Sequence, residues 1–283
     1  MDVKTSQKYP IIKLSAPEYN KFWEIQVLYE DEFLMAINKP AGLLTSPDRY
    51  DPKRPNLMKL LHAGIEQKKD WASQRGLEYL MNPHRLDIET TGILLLAKDK
   101  QTLTALTDLF GTEKVSKKYI AIAHGNPDRD EFEVDVLIAP TPRKPEIMRI
   151  VRKKGKRSIT RFKALERYAG YTLFECFPLT GRTHQIRVHL KYAGYPIVGD
   201  SLYGGTPLFL SSLKPDYKLS KGKIEHPIIS TVALHAKELQ FIHPVTGEKV
   251  IIDAPVPKAI VAAIKYLRQY AAPMSYSERP LPF

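Results

Sequence analysis

The sequence predicts an α+β fold, and three features predict it. Short runs rich in β-branched and aromatic residues outnumber stretches with helical spacing. Strands follow one another in groups, with helices placed between them, and the regular βαβ rhythm of a doubly wound sheet is absent. With 283 residues, 43% of them hydrophobic, the chain has enough apolar material for one large domain or two small ones.

Residues 1–24 read as a polar, Pro-containing arm. Ile25–Tyr29 and Phe33–Ile37 read as a strand pair joined through Glu30-Asp31-Glu32, and Lys39-Pro40-Ala41-Gly42 breaks the second strand. Apolar residues then fall at helical intervals over 55–65, with Pro55 suited to the first turn. A strand over Ile93–Ala97 follows. Leu103, Leu106 and Leu109-Phe110 predict a helix over 100–110, which Gly111 can end. Strands are predicted at 117–123, 131–137, 158–167, 171–178, 232–241 and 248–253. Within this series Thr183 is placed to cap a helix starting near His184, leaving Arg182 in the turn before it. Ile260-Val261, Ile264 and Leu267 repeat on one side of a last helix over 257–270. A catalytic body over 25–256, with a C-terminal helix and tail over 257–283, is the expected organisation.

Composition narrows the function classes. No apolar run approaches the roughly 20 residues of a membrane helix, and residues 1–8 lack the apolar core of a signal peptide, so a soluble, cytoplasmic protein is expected; a monomer is the expected state. The single cysteine, Cys176, has no partner for a disulfide and lies in an apolar strand, where it reads as a small buried hydrophobe. The net charge of +12 points to a polyanionic partner. Between Arg143 and Lys163 there are ten cations against one acid, Glu146, including Arg149, Arg152, Lys153, Lys156 and Arg157. Such a cluster gains affinity for a phosphate backbone by releasing condensed counterions. A solvated basic hairpin is the plain alternative.

One segment displays a carboxylate where chemistry is usually done. Pro83-His84-Arg85-Leu86-Asp87-Ile88-Glu89-Thr90-Thr91-Gly92 runs straight into the Ile93–Ala97 strand. A loop anchored on a rigid strand fixes a side chain without burying it, so Asp87 is the leading candidate for a reactive group. His84 fits a contact to a ligand or a bond to nearby backbone equally well. Tyr119 opens a strand behind two cations, and a strand tyrosine by itself usually packs. The turn-rich Gly199-Asp200-Ser201-Leu202-Tyr203-Gly204-Gly205 fits a structural or a functional role for Asp200 and Tyr203. A metal site from His184 and His189 is disfavoured, since five residues along a helix put them on different faces. No nucleophile-elbow pattern supports a hydrolase.

Five segments together resemble the RluA-type family of RNA pseudouridine synthases, from about Ile25 to Val256. They are Asn38-Lys39-Pro40-Ala41-Gly42, His84-Arg85-Leu86-Asp87 with Thr90-Thr91-Gly92, Lys118-Tyr119, Gly181–His189, and Leu234-His235-Ala236. The resemblance implies a mixed, largely antiparallel central sheet with flanking helices and loops, and a catalytic aspartate at Asp87 with Tyr119 and Arg182 beside it. Ile88 departs from the Arg that many members carry there, and the arm is too short for the S4 RNA-binding domain of others. Pseudouridine formation breaks the N1–C1′ bond and rejoins the uracil through C5, so neither cofactor nor metal is implied. A carboxylate attacking the base or the ribose must be ionised, and a nearby cation such as Arg182 favours that form. Tyr119 stacks on the uracil and can move a proton. The uridine must leave its stack, Arg85 can fill the space, and the 143–163 cations can hold flanking phosphates. Structured RNA, ribosomal or transfer, is the implied partner. The rival is a non-catalytic RNA-binding or ribosome assembly protein, which does not require Asp87.

Overall fold

The computed structural model describes residues 9–48, 51–214, 216–220 and 222–271. By its contacts the chain forms two compact units, one from residues 1–115 and 238–254, the other from 116–237 and 255–283.

The first unit opens with a hairpin of β1 (Ile11–Ala16) and β2 (Lys21–Glu30), followed by β3 (Leu34–Lys39). Part of the expected polar arm is therefore strand. Ile12, Leu14 and Ala16 point inward while Ile11, Lys13 and Ser15 face out, a two-residue alternation that overall polarity hides. Helix α1 (Leu57–Glu66) starts two residues later than Pro55 suggested, because the Asn56 side chain accepts the Lys59 N–H at 2.9 Å and caps it. After a single turn, α2 (Asp70–Ser73), the chain enters β4 (Thr91–Ala97), which pairs antiparallel with β3. Helix α3 (Lys100–Gly111) is capped by the Asp99 carboxylate, which accepts the Thr102 N–H at 2.7 Å. Gly111 stays helical, and the left-handed residue beyond the end is Glu113, at φ 60°.

The second unit begins at β5 (Ser116–His124) and continues through β6 (Glu131–Thr141), β7 (Lys144–Val151), β8 (Lys156–Tyr168) and β9 (Tyr171–Pro178). These strands pair antiparallel in the order β5, β9, β8, β6, β7. Strand β7 was not foreseen. Helix α4 (Gln185–Tyr192) follows, then β10 (Leu234–Ile242), whose first residues belong to this unit and whose last ones carry the chain back into the first. There β11 (Lys249–Asp253) pairs antiparallel with it, and α5 (Lys258–Tyr270) completes the second unit.

Each unit has its own core. Leu34, Ile93, Leu95, Leu106, Phe241 and Ile252 are buried together in the first. Phe162, Phe174, Leu190, Ile197, Ile260 and Leu267 are among those of the second. Cys176 is fully buried there, and burial pushes its thiol well above its ordinary pKa, so it packs as a small hydrophobe. The whole is α+β and largely antiparallel, as expected. Among the described residues no helix is long and apolar enough to cross a membrane.

Candidate active site

Asp87 lies in the first unit, on the loop between Met81 and β4, and is half-buried. The loop around it is anchored on both sides. Leu86 is buried, with its carbonyl accepting the Thr45 hydroxyl at 2.9 Å, and the Thr90 N–H closes a turn on the Asp87 carbonyl at 3.1 Å. The Ile88 carbonyl accepts the Gly42 N–H at 2.8 Å. The position that departs from the family pattern thus serves the fold through its backbone.

Beneath this turn lies a buried cation. Lys39 is 0% exposed, and its ammonium donates to the carbonyls of Pro40 at 2.8 Å, Leu43 at 2.7 Å and Ile88 at 3.2 Å. All three donors are used, and they tie the Pro40–Leu43 turn to the turn that carries Asp87. Burial pushes the Lys39 pKa down to about 7, against the pull of the Asp87 and Glu89 carboxylates. The Asn38–Gly42 box by itself assigns Lys39 no role. Its burial depends on tertiary packing, although a lysine inside an apolar strand end was a visible signal.

His84 is taken up by the fold. Its Nε2 accepts the Leu95 N–H at 3.0 Å, and its ring stacks on Phe110 at 4.4 Å. Arg85 is exposed and has no ion-pair partner among the described residues.

Tyr119 and Arg182 lie in the second unit. Tyr119 is half-buried on β5, opposite Cys176 of β9. Arg182 is exposed on the turn after β9, its Nε donating to the Arg157 carbonyl at 3.3 Å. Gln185 pins that turn. Its Oε1 accepts the Arg182 N–H at 3.0 Å and the Thr180 hydroxyl at 2.7 Å, while its Nε2 donates to the Ile159 carbonyl at 2.9 Å and to Thr160 Oγ1 at 3.0 Å. A buried carboxamide with all four bonds made is a rigid peg. Thr183 does not cap α4; the preceding residue is His184, in the left-handed region at φ 54°, with no side-chain cap. His189, inside α4, is fully buried, and burial lowers its pKa to about 4.

The basic segment divides into two sets. On β8, Lys163, Arg161 and Arg157 pair with Glu131, Glu133 and Asp135 of β6 at 3.5, 2.8 and 2.6 Å. These acids precede the basic run in sequence, so a count over 143–163 misses them. Arg149 on β7, Arg152 and Lys153 in the turn after it, and Lys156 at the start of β8 are exposed and form no ion pair among the described residues. Of this set, Lys156 directly precedes Arg157, whose carbonyl accepts the Arg182 Nε–H.

A family model described as RNA pseudouridylate synthase matches residues 33–192, which include Asp87, Tyr119 and Arg182. The chain belongs to this family. Ribosomal large subunit pseudouridine synthase D of Xanthomonas campestris is 33% identical over 265 residues, covering 88% of this chain and 71% of the relative. Ribosomal large subunit pseudouridine synthase C of Escherichia coli K12 is 35% identical over 248 residues, with 86% and 70% covered. Among solved structures, Human RNA Pseudouridylate Synthase Domain Containing 4 superposes with a TM-score of 0.63 at 26% identity, over 86% of this chain and 92% of that one. This pseudouridine synthase is therefore an isomerase acting on RNA, of the RluA type, and the non-catalytic reading gives way.

Proposed function

We propose that this pseudouridine synthase isomerises uridine in ribosomal RNA, with Asp87 as its catalytic carboxylate. The observation that carries the proposal is the setting of Asp87. Its side chain is half-buried on a turn whose backbone is fixed by Lys39, Thr45 and Gly42, which presents a carboxylate in a defined place. The names of the relatives point to the large ribosomal subunit and favour ribosomal over transfer RNA.

The reaction exchanges no atoms with a second substrate. The N1–C1′ bond breaks, C5 bonds to C1′, the C5 proton leaves and N1 gains one. Asp87 acts as nucleophile on the flipped nucleoside, Tyr119 stacks on the uracil and moves a proton, and Arg182 supplies a cation to the reaction. Arg85 occupies the space left in the stack. The unpaired cations Arg149, Arg152, Lys153 and Lys156 hold flanking phosphates, whereas Arg157 contributes less because Asp135 already neutralises it. His84 serves the loop through Leu95. The enzyme acts as a monomer in the cytoplasm, and residues 25–256 carry the catalytic body.

Pseudouridine mapping across all cellular RNA, with and without the protein, tests the substrate. Loss of one or a few positions in large-subunit ribosomal RNA is expected; loss confined to transfer RNA contradicts the proposal.

A further inference from the structure

The turn Gly199–Gly205 carries side chains that the proposed chemistry does not use. Asp200 accepts two bonds from Arg187 of α4, both at 2.7 Å, and the pair is buried, with Arg187 3% and Asp200 1% exposed. The same guanidinium lies 5.0 Å over the ring of Tyr203. Tyr203 is buried with Ile138 of β6 and Val188 of α4, so its ring has one place to go. Its hydroxyl accepts the Met148 N–H of β7 at 2.9 Å and sits 2.8 Å from His184 Nδ1.

The turn is shaped to deliver that hydroxyl. A Cβ on Gly199 would come within 2.3 Å of the Thr231 carbonyl oxygen, and one on Gly205 within 1.8 Å of the Ile197 carbonyl oxygen. Only glycine lets the chain pass so close at both ends. His184, the recipient, is a non-glycine residue held at φ 54° and ψ 19°. A left-handed residue of this kind persists when its surroundings over-determine it. It lies two residues after Arg182, inside the turn that Gln185 pins. Met148, the other partner, directly precedes Arg149.

We infer that Tyr203 is a positioning residue for the isomerisation: its hydroxyl joins the basic strand β7 to His184 and so fixes the turn that presents Arg182. The inference rests on the proposed role of Arg182 in the reaction.

The test uses the full-length enzyme under single-turnover conditions at saturating protein, where the rate constant does not depend on the fraction of inactive molecules. Tyr203→Phe keeps the buried ring and removes the hydroxyl. The rate should fall at least roughly tenfold, with RNA affinity by filter binding within about threefold. Combined with Arg182→Ala, it should slow the reaction no further than Arg182→Ala does alone, as expected for groups acting as a unit. A lower amplitude at wild-type rate, or losses that multiply in the double variant, overturns the inference. If Tyr203→Phe does not fold, His184→Asn, which tolerates the left-handed backbone, carries the same expectations. A wild-type rate for Arg182→Ala instead overturns the reading beneath the inference, and the two failures are thereby told apart.

Discussion

Asp87 is placed by a lysine that never meets solvent. The ammonium of Lys39 spends its three donors on three carbonyls, one of them next to Asp87, and Lys39→Met leaves those carbonyls without a donor. A loss of stability on the order of 2–4 kcal/mol follows, with a fall in activity as the Asp87 turn loosens. The pH dependence has a definite sign. The folded pKa, about 7, lies below the ordinary 10.5, so between these values the unfolded chain binds more protons. The contribution is fully present above 10.5, is lost as pH falls through 7, and makes wild-type stability rise with pH relative to Lys39→Met. Urea unfolding of both proteins at pH 7 and pH 10 reads this directly. A stability gap that narrows toward pH 10 contradicts the assignment. At this scale the sequence displayed Asp87 because a strand-mouth turn is a local pattern. It did not display what Lys39 and Gln185 do, because their roles depend on carbonyls distant in sequence: Ile88 for one, Ile159 for the other.

Strands and helices show the same division between local and long-range information. The alternation along β5, β8 and β9 is local, and their bounds agree with expectation within two residues. Strand β7 was hidden because Pro145, Glu146 and Arg149 interrupt its apolar residues and it has one partner, β6. Pairing also sorts the charges. Three cations of β8, Arg157, Arg161 and Lys163, face three acids of β6, which no reading of the basic run alone reveals. Replacing Arg149, Arg152, Lys153 and Lys156 with Gln should therefore reduce the slope of log affinity against log salt by roughly 3. Replacing Arg161 together with its partner Glu133 should leave that slope nearly unchanged. Filter binding between low and moderate salt distinguishes them, and equal slopes for wild type and the fourfold variant contradict phosphate binding by this set.

Across the whole molecule, the five boxes that signal the family fall in two compact units, Asp87 in one and Tyr119 and Arg182 in the other. That division was not legible in the sequence. Strand β10 belongs to both units, so no change of composition marks a boundary. The class of chemistry was legible, because five short boxes in a fixed order make a pattern that chance seldom produces. The central chemical assignment is Asp87 as the group that acts on the nucleoside. Asp87→Asn preserves size and removes the negative charge, so purified variant and wild type can be compared on one large-subunit ribosomal RNA substrate. No pseudouridine is expected from the variant, with RNA affinity within about threefold of wild type. Undiminished product from Asp87→Asn would contradict it.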